Sequence, residues 1–423
     1  MRIAMFTCTY LPHVGGVARS VQRFVEGYRA RGHQVLVVAP KYDGQPEREE
    51  GVVRLPAIQH FNGSDFAVVL PTTLDPDGAI EQFQPQVIHS HHPFLVGDMA
   101  VREAMVQRAP LVFTWHTMYE DYTHYVPIHA DILRGFVAEL STGYANLCDW
   151  VIAPSHSLEV LLRQRGVEQP IEVIPTGVDP ERYGHGDRAG ARQRLGIPPD
   201  AFLMGHVGRL TQEKNLIFLA QAVGEALRRM PRSHALFVGT GAFRETIAHV
   251  MGALGVDARC HMPGALQGQE LVDAYHSMDV FAFSSTTETQ GMVLVECMAA
   301  GCPVVALDAP GARDVVRDGL NGRLVTERRM GPFAEAIGWV AMRSPEERRR
   351  LSSAARASAQ EFSTDRSVDH ALDLYQRAIA LDRRPMELEQ SAWQVLLRSL
   401  QGDWELWANR FHALVKAASG ETE

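Results

Sequence analysis

The sequence predicts an α/β protein of two doubly wound domains that face each other across a cleft, followed by a C-terminal helical extension. Two patterns and one number predict this. Short β-rich runs alternate with helix-length segments through residues 1–175, and a second alternation of the same kind begins at Ala201. The 423 residues also exceed what one hydrophobic core ordinarily organises.

In the first series the expected strands are Ile3–Thr7, Val35–Ala39, Val87–Ser90, Leu111–Trp115, Trp150–Ala153 and Ile171–Pro175. Helical stretches such as Val17–Ala30 and Ala130–Leu147 fall between them. The rhythm breaks at Thr176-Gly177-Val178-Asp179-Pro180, and a polar segment rich in Gly, Arg and Pro runs on to Pro199. It reads as an interdomain linker. The second series contains Ala201–Val207, Ala235–Val238, Val280–Ser284 and Val304–Leu307. The expected bounds are an N-terminal domain over 1–180, a linker over 181–200 and a second domain over 201–360. Ligands of such folds bind beyond the carboxyl ends of the strands, so two facing domains place the site between them.

Beyond Pro385 the apolar residues Trp393, Leu397, Leu400, Trp404, Trp407, Phe411 and Leu414 recur at heptad-like spacing. Two readings of this 385–423 tail stand. One is a helix docked on its own domain or pairing two copies as a homodimer; the other is a helix lying in a membrane interface, where tryptophans sit well. The mixed charge of its polar face favours the first.

Composition excludes several classes. A net charge of −9 argues against a nucleic-acid partner and against a purely electrostatic hold on anionic lipid. The cysteines Cys8, Cys148, Cys260, Cys297 and Cys302 lack zinc-like pairing, which predicts a reduced, cytoplasmic setting. Met1-Arg2 leads into a strand-like run, so no signal peptide is expected; no apolar run approaches the ~20 residues that cross a bilayer. Arg348-Arg349-Arg350 reads as a solvated helix face.

Four segments carry chemistry. Val14-Gly15-Gly16-Val17 lies between the first strand and the first helix, where Gly15 and Gly16 let the backbone approach a phosphate or sugar. The spacing is not GxGxxG, which disfavours a dinucleotide-dependent oxidoreductase. Gly208-Arg209-Leu210-Thr211-Gln212-Glu213-Lys214 follows the first strand of the second domain; Arg209 and Lys214 can bring two positive charges to a diphosphate. His116 ends the run LVFTW and would reach the cleft, whereas His89, His91 and His92 read as mostly structural, with His91 at the rim. No carboxylate-rich spacing supports a metal site. Finally, Ser284–Val304 sets Glu288 and Glu296 around a helix opened by Gly291, whose N–H groups attract acceptors and negative charge. Gly239-Thr240-Gly241 offers a turn against which a nucleotide can lie. Backbone donors with two carboxylates suit a nucleotide sugar.

The motifs GGVARSV, FTWHT, GRLTQEKN, VGTGAFRE and ETQGMVLVECMAAGCPVV, in this order, resemble glycosyltransferase family 4 over about residues 1–380. The resemblance implies GT-B architecture, with two facing Rossmann-like domains and a helix over 361–384 returning to the first. It implies a retaining hexosyltransferase that needs neither metal nor cofactor. Arg209 and Lys214 would hold the donor diphosphate, Gly16 would approach it, and Glu296 would bind the ribose. Glu288, with the N–H groups of Gln290, Gly291 and Met292, would bind the sugar, and His116 would lie beside the anomeric centre. Where many members read Glu-Gly-Phe-Gly, this chain reads Glu288-Thr289-Gln290-Gly291. That form, with HTMYEDYTHYVP at His116–Pro127, is similar to bacterial diacylglycerol glucosyltransferases. Tyr119, Tyr122 and Tyr125 would then wall an acceptor pocket, and peripheral membrane contact is implied. The expected reaction moves a hexose, glucose from UDP-glucose, to the hydroxyl of diacylglycerol or a related membrane lipid. The expected partners are therefore a UDP-sugar donor and a lipid or carbohydrate acceptor. A soluble-acceptor transferase, a nucleotide-sugar epimerase and a non-catalytic binder stay open as alternatives.

Overall fold

The computed structural model describes residues 1–13, 15–45, 49–59, 67–69, 78–119 and 130–381. Residues 1–379 form one compact unit. The first sheet contains β1 (Arg2–Phe6), β2 (Gln34–Pro40) and β3 (Val52–Leu55). A small antiparallel pair, β4 (Ala57–Ile58) and β5 (Val68–Val69), follows. The sheet resumes with β6 (Val87–Ser90), β7 (Leu111–Thr114), β8 (Trp150–Ala153) and β9 (Ile171–Val173). Its order is β3-β2-β1-β6-β7-β8-β9, and its pairs are parallel.

A parallel sheet is covered on both faces, and alternate residues of β1 serve different cores. Ile3 and Met5 pack with Val21, Phe24 and Tyr28 of the helix Gly16–Ala30. Ala4 and Phe6 pack instead with Trp115, Tyr144 and the helix Val96–Val106. Each fully buried aliphatic or aromatic side chain contributes roughly 1.5–3 kcal/mol, so register is strongly specified.

The second sheet comprises β10 (Phe202–Val207), β11 (Ser233–Val238), β12 (Cys260–Gly264), β13 (Val280–Phe283), β14 (Val304–Leu307) and β15 (Gly322–Val325). Its order is β12-β11-β10-β13-β14-β15, again parallel. Helices Leu216–Arg229, Arg244–Ala253 and Met330–Ala341 cover one face; Gly268–Ser277, Met292–Ala299 and Pro345–Glu361 cover the other. In each sheet the strand order reverses beside the first strand, at β1/β6 and at β10/β13. Those are the points where doubly wound sheets open a crevice.

Residues 181–200 fold onto this second domain. Asp179 caps the helix Pro180–Gly184 and Asp187 caps Arg188–Arg194, each side chain accepting a backbone N–H of the first turn. Arg192, 3% exposed, pairs with Asp279 and donates to the carbonyls of Ser277, Pro199 and Ala201. Arg188 and Arg194 are likewise bonded within the domain, to Asp279 and Asp273, so three of the arginines that make this stretch look like a polar connector make internal bonds.

The chain crosses between domains twice, side by side. Val178 accepts from the Thr364 N–H at 2.8 Å, and its own N–H reaches the Phe362 carbonyl at 2.9 Å. Gly177 permits the approach: a Cβ there would lie 2.2 Å from the Thr364 Cα. The helix Thr364–Ala380 then returns to the first sheet, burying Val368, Ala371 and Tyr375 beside Val21 and Tyr28. Arg348, Arg349 and Arg350 are exposed, as their pattern predicts. Among the described residues no helix is long and apolar enough to cross a membrane. The heptad-like tail lies outside the described residues.

Candidate active site

The loops after β10 and β13 leave adjacent strands at the switch point and are bonded together. Ser284 Oγ donates to the carbonyls of Lys214 (3.0 Å) and Asn215 (3.1 Å), and Ser285 Oγ to that of Glu213 (3.2 Å). This brings the Lys214 ammonium onto the Glu288 carboxylate, each side chain 20% exposed. Burial alone would raise the Glu288 pKa; Lys214, helped by Ser285 and Arg209, outweighs it and holds the carboxyl below its ordinary value. Arg209 stands at the mouth, 57% exposed, with Nη2 on Glu213 Oε1 at 3.0 Å. Two cations and the carboxylates of Glu213 and Glu288, from two loops far apart in sequence, thus share one corner.

Gly291 caps the next helix with φ 72°, a conformation that glycine alone adopts without strain. Among the described residues the N–H groups of Gln290, Gly291 and Met292 have no acceptor. They are orphan donors at the start of Met292–Ala299, just past Glu288. Gly311, also at positive φ, lets the neighbouring backbone pass close: a Cβ there would lie 2.9 Å from the Glu288 carbonyl oxygen.

Glu296 sits differently. It is 5% exposed, accepts from Tyr275 Oη at 3.0 Å, and lies 3.5 Å from the Arg23 guanidinium of the first domain. Sequence reasoning did not find Arg23. Its signal was the i, i+3 spacing with Ser20 on the first helix: Ser20 Oγ bonds Thr176 Oγ1 at 3.0 Å, and Arg23 Nη1 donates to the Gly177 carbonyl at 2.6 Å. One helix face therefore addresses the first crossing.

Gly239 and Gly241 are explained by the protein's own backbone. A Cβ at Gly239 would lie 1.8 Å from the Gly208 carbonyl oxygen, and one at Gly241 2.3 Å from that of Leu210. The turn buttresses the Arg209 loop, to which it is bonded through Leu210 N–H and Thr240 O at 2.8 Å. On the facing domain, Gly15 caps the first helix with extended backbone, and among the described residues nothing lies within 4 Å of where a Cβ on Gly16 would stand.

His116 follows β7 and is half-buried, its Nε2 2.9 Å from His91 Nδ1. His91 is fully buried instead of lining the rim, stacked on His116 and tilted against His89 with ring centroids 5.1 and 4.1 Å away. Burial pushes His116 and His91 well below the usual histidine range, so both rings are neutral and one proton lies between them. His89 is held by Thr114 Oγ1 at 2.7 Å and by Tyr375 Oη at 2.6 Å, which ties this stack to the returning helix. His92 Nδ1 accepts the Cys8 N–H at 3.1 Å.

The two halves meet at the Glu288–Gly291 loop. Thr289 Oγ1 donates to the His116 carbonyl at 2.9 Å, and Ser155 Oγ to the Thr289 carbonyl at 2.6 Å. Gln290 pairs with the Thr176 backbone. The side chains of Thr289 and Gln290, read from sequence as a hint of the acceptor, are engaged with the opposite domain. Beside Glu288, a crevice is lined by Met118, Leu158, Leu161, Thr286, Thr289 and Pro310. Tyr119 packs edge-on to Phe94 at 5.6 Å; Tyr122 and Tyr125 lie outside the described residues.

Comparison with known proteins agrees with this architecture. Glycosyltransferase Family 4 matches residues 14–182, and Glycosyl transferases group 1 matches residues 187–358. The chain is 28% identical over 331 residues to an alpha-monoglucosyldiacylglycerol synthase of Streptococcus pneumoniae, covering 77% of this chain and 75% of that one. A GDP-mannose-dependent alpha-mannosyltransferase of Corynebacterium glutamicum is 30% identical over 336 residues, covering 77% and 76%. In structure the chain is similar to Anabaena HepE, solved in complex with UDP and glucose, at TM-score 0.71 and 22% identity over 89% of this chain and 100% of that one. That likeness shows the fold. The protein is a glycosyltransferase of the GT-B type. Within that class, the chain belongs to glycosyltransferase family 4.

Proposed function

We propose that this enzyme transfers glucose from UDP-glucose to the hydroxyl of diacylglycerol or a related membrane lipid, with retention of α configuration. The observation that carries the lipid reading is the crevice beside Glu288. Its first-domain wall is Met118, Leu158 and Leu161, and among the described residues none that lines it is basic. Such a wall suits hydrocarbon better than a phosphorylated sugar. Similarity to monoglucosyldiacylglycerol synthases supports the same reading. The similarity to a GDP-mannose-dependent enzyme favours a second one, mannosyl transfer on the same scaffold.

The chemical difficulty is departure of the diphosphate. Arg209 and Lys214 would stabilise the charge that develops on it, while the orphan N–H groups at Gly291 and Met292 would face the sugar. The Lys214 ammonium carries three protons and can hold Glu288 and a phosphate oxygen together. Glu288, kept ionised by Lys214, would accept from a sugar hydroxyl. Neutral His116 would do so at the reacting face, and Glu296 would bind the ribose. We favour a front-face route in which the leaving diphosphate takes the acceptor's proton. Closure would exclude water and limit donor hydrolysis. Action at the cytoplasmic face of a membrane follows from the lipid acceptor.

The test crosses UDP-glucose and GDP-mannose against diacylglycerol vesicles and soluble acceptors, with the anomeric configuration of the product read by NMR. Glucosyl transfer only to soluble acceptors would end the lipid reading. Activity is expected to survive EDTA, and a strict metal requirement would refute the charge scheme.

A further inference from the structure

Gln290 is 4% exposed, and its amide engages both backbone groups of a single residue in the first crossing. Oε1 accepts the Thr176 N–H at 2.7 Å, and Nε2 donates to the Thr176 carbonyl at 2.9 Å. A neighbouring strand would make the same pairing; here a side chain makes it, and the pairing fixes the amide's orientation. Thr176 is itself bonded to Ser20, on the helix that Gly15 caps. Two residues on, Val178 bridges to Ser363 of the return crossing. Gln290 is therefore attached where both crossings run together. On its other side stand Gly291, which opens the helix, and Glu288, which faces Lys214.

We infer that Gln290 is a positioning residue: its pairing with Thr176 ties the Glu288–Gly291 loop to the interdomain pivot, and so places the Glu288 carboxylate and the Gly291 and Met292 N–H groups for the donor sugar. The inference rests on the donor-sugar role proposed for that loop. Domains that open and close turn about their crossings, so a loop held at the pivot keeps its place relative to both halves. Thr289 is also bonded to His116 and Ser155. Without the Gln290 pairing the loop could turn about those contacts, and a displacement of about 1 Å can cost roughly a hundredfold in rate. The side-chain chemistry is specific. Asparagine is one methylene shorter, and a carboxylate in place of the amide cannot donate to the Thr176 carbonyl.

The experiment compares wild type, Gln290→Met, which keeps length without either hydrogen bond, and Gln290→Glu, which keeps only the acceptor. Calorimetric titration of the full chain uses UDP against UDP-glucose, with GDP against GDP-mannose as the second pair; melting temperatures check folding. Gln290→Met is expected to bind the nucleoside diphosphate within twofold of wild type, because Arg209 and Lys214 are untouched. The intact nucleotide sugar should weaken about tenfold, with a smaller loss for Gln290→Glu. Donor hydrolysis should rise relative to transfer. Wild-type affinity and hydrolysis in both variants would overturn the inference, as would an equal loss for diphosphate and nucleotide sugar, the mark of general damage. A wild-type chain that binds neither nucleotide sugar would remove the donor-site reading and the inference with it.

Discussion

Replacing Lys214 by methionine separates its two jobs. The Lys214 and Glu288 side chains are each 20% exposed, so their pairing lies between the surface and the buried case. Surface pairs contribute up to ~1 kcal/mol, and breaking a buried pair costs ~3–5 kcal/mol, so Lys214→Met should cost about 2 kcal/mol of stability at neutral pH. The pH dependence fixes the cause. In the wild type Glu288 titrates below its ordinary value. Its contribution is therefore full above about pH 4.3, the unfolded value, and is lost as pH falls through the depressed folded one. Without Lys214, only Ser285 and Arg209 oppose burial, and the Glu288 pKa rises. The variant's deficit should then shrink in acid and grow as pH rises through the raised value. Urea denaturation between about pH 4 and pH 8 measures this directly. In the same variant kcat should fall about 10²–10³-fold if the ammonium also meets the leaving diphosphate. Lys214→Met combined with Glu288→Gln should regain stability and stay inactive. A deficit that ignores pH, or a kcat within threefold of wild type, would refute the reasoning.

Arg209→Ala removes an exposed side chain whose carboxylate partner is Glu213. It should change stability by no more than about 0.5 kcal/mol yet lower kcat about a hundredfold, so a matched pair of denaturation and rate measurements checks it. His91→Phe keeps a ring against His89 but removes the 2.9 Å bond to His116. A fall in kcat of about tenfold with donor KM little changed is expected from steady-state kinetics, and an unchanged kcat would release His116 from dependence on His91. Gly177→Ala would place a Cβ 2.2 Å from the Thr364 Cα. Forcing the crossings apart should lower the urea midpoint by the equivalent of ~2–4 kcal/mol, and an unshifted midpoint would show that they tolerate separation.

The strand ends were readable because they follow from local pattern: a β run, a turn, then a helix, with glycine where φ must be positive. Arg209, Lys214, Glu288 and Gly291 all lie on such ends, and the doubly wound topology gathers them. What no local pattern carries is the partner of a side chain. Glu296 shares its helix with Gly291, yet its carboxylate is met by Tyr275 and by Arg23 of the other domain. Gly239 and Gly241 show a different limit. Glycine signals close approach without saying to what, and here the approaching group is the backbone of Gly208 and Leu210. His91 is a third case, since histidine at a strand end reads alike whether it faces the cleft or stacks beneath another imidazole. Residues 181–200 show the same ambiguity for arginine, which is solvated at Arg348–Arg350 and buried at Arg192.

The returning helix Thr364–Ala380 makes the first domain discontinuous in sequence. Tyr375 hydrogen-bonds both Tyr28 and His89, and Val368 and Ala371 complete the core beneath Ile3 and Met5. A gene fragment ending near the first crossing would leave that apolar face wet and the imidazole stack untethered. Chimeras that exchange the first domain between relatives must therefore carry two segments from the same parent, one from each end of the unit. Recombination at the linker alone would part His89 from the residue that holds it.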